Sequence, residues 1–198
     1  GLISETSWEV LATYHRDNSD PDDPESWQIA RFDDALALAK ELDLIVYIDQ
    51  KTGRSDLVAQ AIAEAEAFGV ALVRDGLPSV AAMIENEPRL LVMPAINGDA
   101  EFTLAQTLID PLYIVEIPGG LADDTLVDTI RAAGVKVQQD MLGPADVFGS
   151  VGNYSHWKER VVGGVRMPQT DFPQLLVPAA LDFDLSGEFP GSGPTAAE

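Results

Sequence analysis

The chain has no cysteine. That excludes disulfide staples, thiol nucleophiles and cysteine metal sites. Histidine is nearly as scarce, with only His15 and His156, so a zinc site is not expected and no Ser-His-Asp set can be assembled from spacing. Positive charge is short as well. Twelve Lys and Arg stand against 33 Asp and Glu, a formal charge of -21 at pH 7. Such a surface repels phosphate backbones, which argues against sequence-specific nucleic acid binding. No apolar run approaches the length of a membrane span, so no membrane partner is expected. The start carries no basic stretch leading into an apolar one, so a signal peptide is not expected either. G-x-S-x-G, H-E-x-x-H and G-x-G-x-x-G are all missing.

What is present is a hydrophobic fraction of 46%, enough to build a real core, and a partial internal repeat. Gly69-Val70-Ala71-Leu72-Val73-Arg74-Asp75 matches Gly134-Val135-Lys136-Val137-Gln138-Gln139-Asp140. Each follows a helix-patterned stretch. Each is followed, after a gap, by a similar apolar run: Leu90-Leu91-Val92-Met93-Pro94-Ala95 and Leu175-Leu176-Val177-Pro178-Ala179. The repeat predicts one α+β domain over residues 1–185, with copies at about 55–120 and 121–185. Its mixed sheet carries helices on one face. The alternative is an α/β doubly wound parallel sheet. Residues 186–198, rich in Gly and Pro, read as an extended tail.

Local patterns fill in the elements. Trp8 to Tyr14 has strand character, and Trp27 to Phe32 is a second strand, giving a hairpin across the acidic loop Asp17–Glu25. Asp33 and Asp34 sit at a helix start, with Leu38 and Leu42 on one face. Leu44 to Ile48 reads as a buried strand. Ser55 is an N-cap for a helix over 56–68 ended by Gly69. A strand at 70–73, a short helix at 77–87 and a strand at 89–96 follow. Asn97-Gly98 is a hairpin turn signal, which makes 101–108 a returning strand. The rival there is a helix with Phe102, Ala105 and Ile109 inward. Strand 112–117, helix 122–133 and strand 135–139 come next. Residues 143–173 form a long insertion, and 175–183 is the final strand.

Each chemical candidate has an ordinary structural alternative. Lys51-Thr52-Gly53-Arg54-Ser55 follows a strand and opens a helix, so its amides suit a phosphate; but it lacks G-x-x-x-x-G-K-[ST], which favours an ordinary strand-to-helix turn. Asp49, Asp75 and Asp140 stand at strand ends, where a general base or Mg²⁺ ligand would sit in a parallel sheet, or where caps and turn formers belong. Pro118-Gly119-Gly120 precedes a helix in the same way. A ligand site would therefore draw on Asp49, Gly53, Ser55, Gly119 and Gly120. Tyr154, His156, Trp157, Lys158, Arg160 and Arg166 form a basic-aromatic cluster suited to docking an acidic partner, including a second copy of the chain.

The stretch from about Leu126 to Asp184 runs from a helix through Ala133-Gly134-Val135-Lys136-Val137 to Phe172-Pro173-Gln174-Leu175-Leu176-Val177-Pro178-Ala179 and Leu181-Asp182-Phe183-Asp184. It resembles the opening of tail terminator (tail-completion) proteins of long-tailed actinobacterial phages. The resemblance implies a non-enzymatic ring subunit of a virion tail or neck, with no catalytic residue, metal or cofactor. Its partners would be copies of itself and other structural proteins, its location the virion or cytoplasm, and its acidity would face a DNA channel. Two other expectations stand beside it. One is an α/β nucleotide- or phosphate-binding enzyme with its site near Asp49, Ser55 and Gly119; the other is an acidic DNA mimic.

Overall fold

A computed structural model describes residues 5–14, 28–51, 53–118 and 124–186. It forms two compact units, one from Gly1–Arg74 and Ala82–Val92, the other from Asp75–Ala81 and Met93–Glu198. The first holds α1 (Trp8–Leu11), α2 (Phe32–Leu42), β1 (Val46–Asp49) and α3 (Ser55–Glu64). The boundary passes through β2 (Ala71–Gly76), α4 (Leu77–Asn86) and β3 (Leu91–Ala95). The second unit continues with α5 (Asp99–Leu108), β4 (Ile114–Ile117), α6 (Asp124–Ala132), β5 (Lys136–Asp140), α7 (Pro144–Ser150), α8 (Ser155–Gly163), β6 (Met167–Gln169) and α9 (Pro173–Ser186).

In the first unit β1 runs parallel to β2, in a register from Val46↔Ala71 to Asp49↔Arg74. The strands are short and bury Ile48, Ala71, Leu72 and Val73. Leu36 and Ala39 of α2 and Ile62 of α3 are buried as well. In the second unit β3, β4, β5 and β6 are parallel and adjacent in chain order. Met93, Phe102, Val115, Ile117, Ile130, Val137 and Trp157 form its interior. The fold is therefore α/β with parallel strands, the alternative of the two sequence readings. The expected mixed α+β sheet is corrected, and so is the double winding, since strand order never reverses within these pairings.

The hairpin expected at Asn97-Gly98 is instead the entry to α5. Glu101 reaches back and accepts from the Asn97 backbone N–H at 2.7 Å and from its side-chain amide at 2.9 Å, a capping arrangement that starts a helix. Thr103 and Thr107, counted as strand formers, donate to the carbonyls four residues earlier. Phe102, Ala105 and Ile109 are buried, as the helical alternative required.

Three other strands are corrected. Residues 8–11 are helix. Of the expected strand 27–32, residue 27 lies outside the described residues, Gln28 makes an isolated bridge, and Phe32 begins α2. The final run, residues 175–183, lies in α9, where Leu176 and Ala179 are buried three apart. The two matching apolar runs thus take different forms, strand at β3 and helix at α9, while β2 and β5 are both strands. Ser55 is the first helical residue and Arg54 the N-cap. Glu66, at φ 49°, takes the left-handed turn expected of Gly69. Leu38 and Leu42 share a face, but it is the exposed one. Residues 186–198 lie almost wholly outside the described residues.

The expected insertion at 143–173 is organised around one carboxylate. Asp146, on α7, is buried. It accepts from the Trp157 indole Nε1 at 3.1 Å, the Thr170 hydroxyl at 2.6 Å and the Asp171 backbone N–H at 2.6 Å. Thr170 in turn accepts from the Phe172 N–H, and the Phe172 carbonyl accepts from the Leu175 and Leu176 N–H groups in the first turn of α9. Gly149 lies flat against the Trp157 ring, and a Cβ there would overlap the indole.

Removing the carboxylate with Asp146→Ala strands three donors, the buried Trp157 indole among them. It should cost about 2–5 kcal/mol, read from denaturant unfolding followed by tryptophan fluorescence. By the same measurement Gly149→Ala should cost about 1–3 kcal/mol through overpacking; an unchanged midpoint would show that the indole moves freely.

Candidate functional site

Parallel α/β sheets place their chemistry beyond the carboxyl ends of the strands, where side chains project and helix N-termini converge. In the first unit that edge carries Asp49 and its register partner Arg74. Asp49 accepts from Lys51 Nζ at 2.7 Å and lies 3.5 Å from an Arg74 guanidinium nitrogen. The side chains of Asp49 and Arg74 are 35% and 24% exposed, so the pair is half-sheltered. Strand alternation puts Tyr47, Asp49, Leu72 and Arg74 on one face of β1–β2. The Gln50 amide donates to the Ser55 hydroxyl at 3.1 Å, tying the strand end to the start of α3.

Gly53 stands in that turn at φ +68° with open space around its Cα. The helix N-terminus beside it is already provided with an anion. Asp56, in the first turn of α3, accepts two hydrogen bonds from Arg54 at 2.9 and 2.8 Å. Those bonds hold the Asp56 carboxyl down at about 2, against an ordinary 3.8. Negative charge at this position occupies the favourable end of the helix dipole, which opposes a phosphate seated at Ser55. Gly119 and Gly120 lie outside the described residues.

In the second unit, Asp75 accepts from the Gly76 N–H at 2.7 Å and the Ser79 hydroxyl at 2.6 Å. It caps α4. Asp140 accepts from the Leu142 N–H at 2.8 Å, a turn-forming role. Two residues to which the sequence reading gave no role stand out instead. Glu116, in the middle of β4, is only 5% exposed, and Gln138 on β5 is 1% exposed. They are register partners, with Ala95 and Met167 on the flanking strands, so they share one face of the sheet. The Gln138 amide lies 3.4 Å from the Gln169 side-chain oxygen. Its own Oε1 has no hydrogen-bond partner, nor has that of Gln139, an uncommon state for buried oxygens. The signal was in the sequence: Glu116 is the one charge in Ile114-Val115-Glu116-Ile117. Among the described residues no cluster of three His, Cys, Asp or Glu could hold a metal ion.

The basic-aromatic cluster does not form one surface. Trp157 is fully buried, with Tyr154 stacked on it at 5.4 Å. Trp157 is therefore a core residue rather than an interface anchor. His156 is exposed and stacks on Phe148, also at 5.4 Å. Lys158 lines a groove of about 560 Å³ beside Asp124, Asp128, Arg131 and Glu159, where carboxylates surround it. Arg160 is half-buried on α8, and Arg166 is exposed just before β6.

No protein-family model matches the chain, and no curated protein matches it by sequence. Solved structures do match it by fold. A glycerophosphoryl diester phosphodiesterase from Parabacteroides distasonis ATCC 8503 superposes with a TM-score of 0.74 at 15% identity, over 99% of this chain and 68% of its own. A second glycerophosphodiester phosphodiesterase from that organism gives 0.66 at 12% identity, over 92% and 74%. A protein from Galdieria sulphuraria, named as a candidate glycerophosphodiester phosphodiesterase, gives 0.72 at 10% identity, over 91% and 72%. At these identities the likeness is one of fold, and the fold of these neighbours is TIM-barrel-like α/β. The expectation of a virion tail or neck subunit is corrected: the neighbours are named as enzymes of phosphodiester chemistry, not as phage tail terminators. Among the described residues no helix is long and apolar enough to cross a membrane.

The Arg54–Asp56 pair makes a pH prediction. Asp56 is depressed on folding, so its contribution to stability is full above about 3.8 and is lost as pH falls through about 2. NMR titration of the Asp56 carboxyl should give a midpoint near 2, and Arg54→Gln should return it towards the ordinary value. A midpoint near the ordinary value in the unaltered protein would mean that the pair does not hold in solution.

Proposed function

We propose that this chain is a phosphodiester hydrolase acting on glycerophosphodiesters. The observation that carries the reading is the fold match along 99% of the chain to a glycerophosphoryl diester phosphodiesterase. It supports the enzyme alternative of the sequence analysis, with phosphate as the recognised group and the strand ends as its location.

The chemistry sets two demands. The phosphoryl oxygens need positive charge where negative charge builds up, and the attacking or leaving oxygen needs a group that can take or give a proton. In the first unit Arg74 is suited to the former role. Its planar guanidinium matches two phosphate oxygens, and Asp49 holds it at the strand edge until substrate arrives. Lys51 supplies a second, mobile cation on the same carboxylate. Asp49, beside both cations, offers the carboxylate for the other demand within that unit; the second unit, taken by itself, offers Glu116. A buried carboxylate beside the Gln138 side chain can hand on a proton or bind a cation, given a substrate within hydrogen-bond reach.

The test is release of glycerol phosphate from glycerophosphocholine, assayed with and without added divalent cation. The unaltered chain should turn the substrate over. Glu116→Gln, which keeps shape and removes the ionisable group, should lower kcat about 100-fold or more. Arg74→Gln should lower kcat/KM by about 10- to 100-fold. No turnover together with no binding of the diester would overturn the reading. Undiminished activity in Glu116→Gln would remove that residue from it.

A further inference from the structure

Asn97, which with Gly98 turns no hairpin, stands exposed between β3 and α5. The backbone nitrogen of the next residue can reach an asparagine side-chain carbonyl carbon through a five-membered ring, and asparagine counts among the thermolabile residues. A side chain on that next residue hinders the closure, and glycine has none. At Gly98 the space that a Cβ would take is open, with nothing within 4 Å.

The other described asparagines are secured against this reaction. Asn86 donates its amide to the Ala82 carbonyl at 2.8 Å, and the nitrogen that would attack it, that of Glu87, donates to the Met83 carbonyl at 2.9 Å. Asn153 is followed by the bulky Tyr154, and its side-chain oxygen accepts from the Ser155 N–H at 3.2 Å and hydroxyl at 2.8 Å. Asn97 is held by one carboxylate. The same Glu101 oxygen accepts from its side-chain amide at 2.9 Å and its backbone N–H at 2.7 Å. The amide bond to Glu101 has to break before the side chain can swing onto Gly98. The carboxylate's charge also disfavours the anion that the Gly98 nitrogen must become in order to attack.

We propose that Asn97 is a self-modification site, converted to aspartate and isoaspartate through attack by the Gly98 nitrogen, with Glu101 as the group that slows it. The Gly98 N–H gives its proton to solvent base, and the nitrogen forms a bond to Cγ of Asn97. The bond from Cγ to Nδ2 breaks, and ammonia leaves with a proton returned from solvent. Water then opens the cyclic imide at either carbonyl. One opening leaves aspartate, the other an isoaspartate whose main chain runs through the former side chain. The product adds a negative charge to a chain already at -21 and sets it where Nδ2 met Glu101. An attraction at the start of α5 becomes a repulsion. The preceding residue, Ile96, is buried and donates its N–H to the Glu116 carbonyl at 2.9 Å, so the change falls one residue from a contact with β4. The modification does not rest on the proposed function.

Peptide mapping of the folded full chain, stored in warm, mildly alkaline buffer and sampled over weeks, tests it. Aspartate and isoaspartate should accumulate at position 97 while Asn86 and Asn153 remain amides. Gly98→Ala, for which there is room, should slow the conversion severalfold. Glu101→Ala should speed it severalfold, and Glu101→Gln, which keeps an acceptor and loses the charge, should fall between. Circular dichroism checks that each variant is folded; should Glu101→Ala not be, the Gln variant decides alone. Asn97→Asp, made directly, should lower Tm. An Asn97 that stays an amide as long as Asn86 and Asn153 do overturns the proposal. Conversion that Gly98→Ala leaves unchanged overturns the ring-closure route. Conversion that the folded Glu101 variants leave unchanged, or slow, overturns the role given to Glu101.

Discussion

Parallel pairing is the constraint from which most of this structure follows. A parallel neighbour cannot be reached by a tight turn; the chain must cross back along the sheet before the next strand begins. Each described pairing therefore requires a helix between its strands, and each strand can be short because helices bury it. β4 has four residues, all buried. With strand and helix alternating, carboxyl ends gather along one edge within each unit. That is where Asp49 and Arg74 stand in the first unit, and Asp140 and Gln169 in the second.

The same constraint explains which parts of the fold were legible. Helices α2, α4 and α6 and the buried strands β2 to β5 have strong local patterns, and the sequence places them within a few residues. Leu126, Val127 and Ile130 are inward as read. Two of the errors have physical causes that can be named. Asn97-Gly98 is a hairpin signal on local grounds, but a hairpin would make the next strand antiparallel. Glu101 capping Asn97 decides the matter for helix. Leu175–Phe183 is apolar enough for a strand, but its burial recurs at Leu176 and Ala179, a helical spacing that a continuous apolar run conceals. The resemblance to tail terminators leaned on that run being a strand.

The candidate site was less legible than the fold. Asp49 was found from its place at a strand end. Its partner Arg74 was in view only as part of a repeat, because a pair 25 residues apart becomes a contact only through strand register. Glu116 was readable in principle as a charge inside an apolar strand. Gln138 carried less signal, since an amide in a strand is unremarkable until its neighbours are known. Gly53 and Ser55 drew attention through a motif logic that Arg54 and Asp56 undercut: the helix start had an anion of its own two residues further on.

Asp146 does for the region after β5 what apolar packing does elsewhere. One carboxylate collects an indole from α8 and a hydroxyl and a backbone N–H from the segment before α9, so that α7, α8 and the start of α9 share a common fixed point. The contact between Gly149 and the Trp157 ring follows from it. The two positions occupy one volume, so neither is free to vary by itself. Over evolutionary time a larger residue at 149 has to be matched by a smaller ring at 157, and the loss of that indole would leave Asp146 without one of its donors. Related chains should therefore show residues 146, 149 and 157 changing as a set.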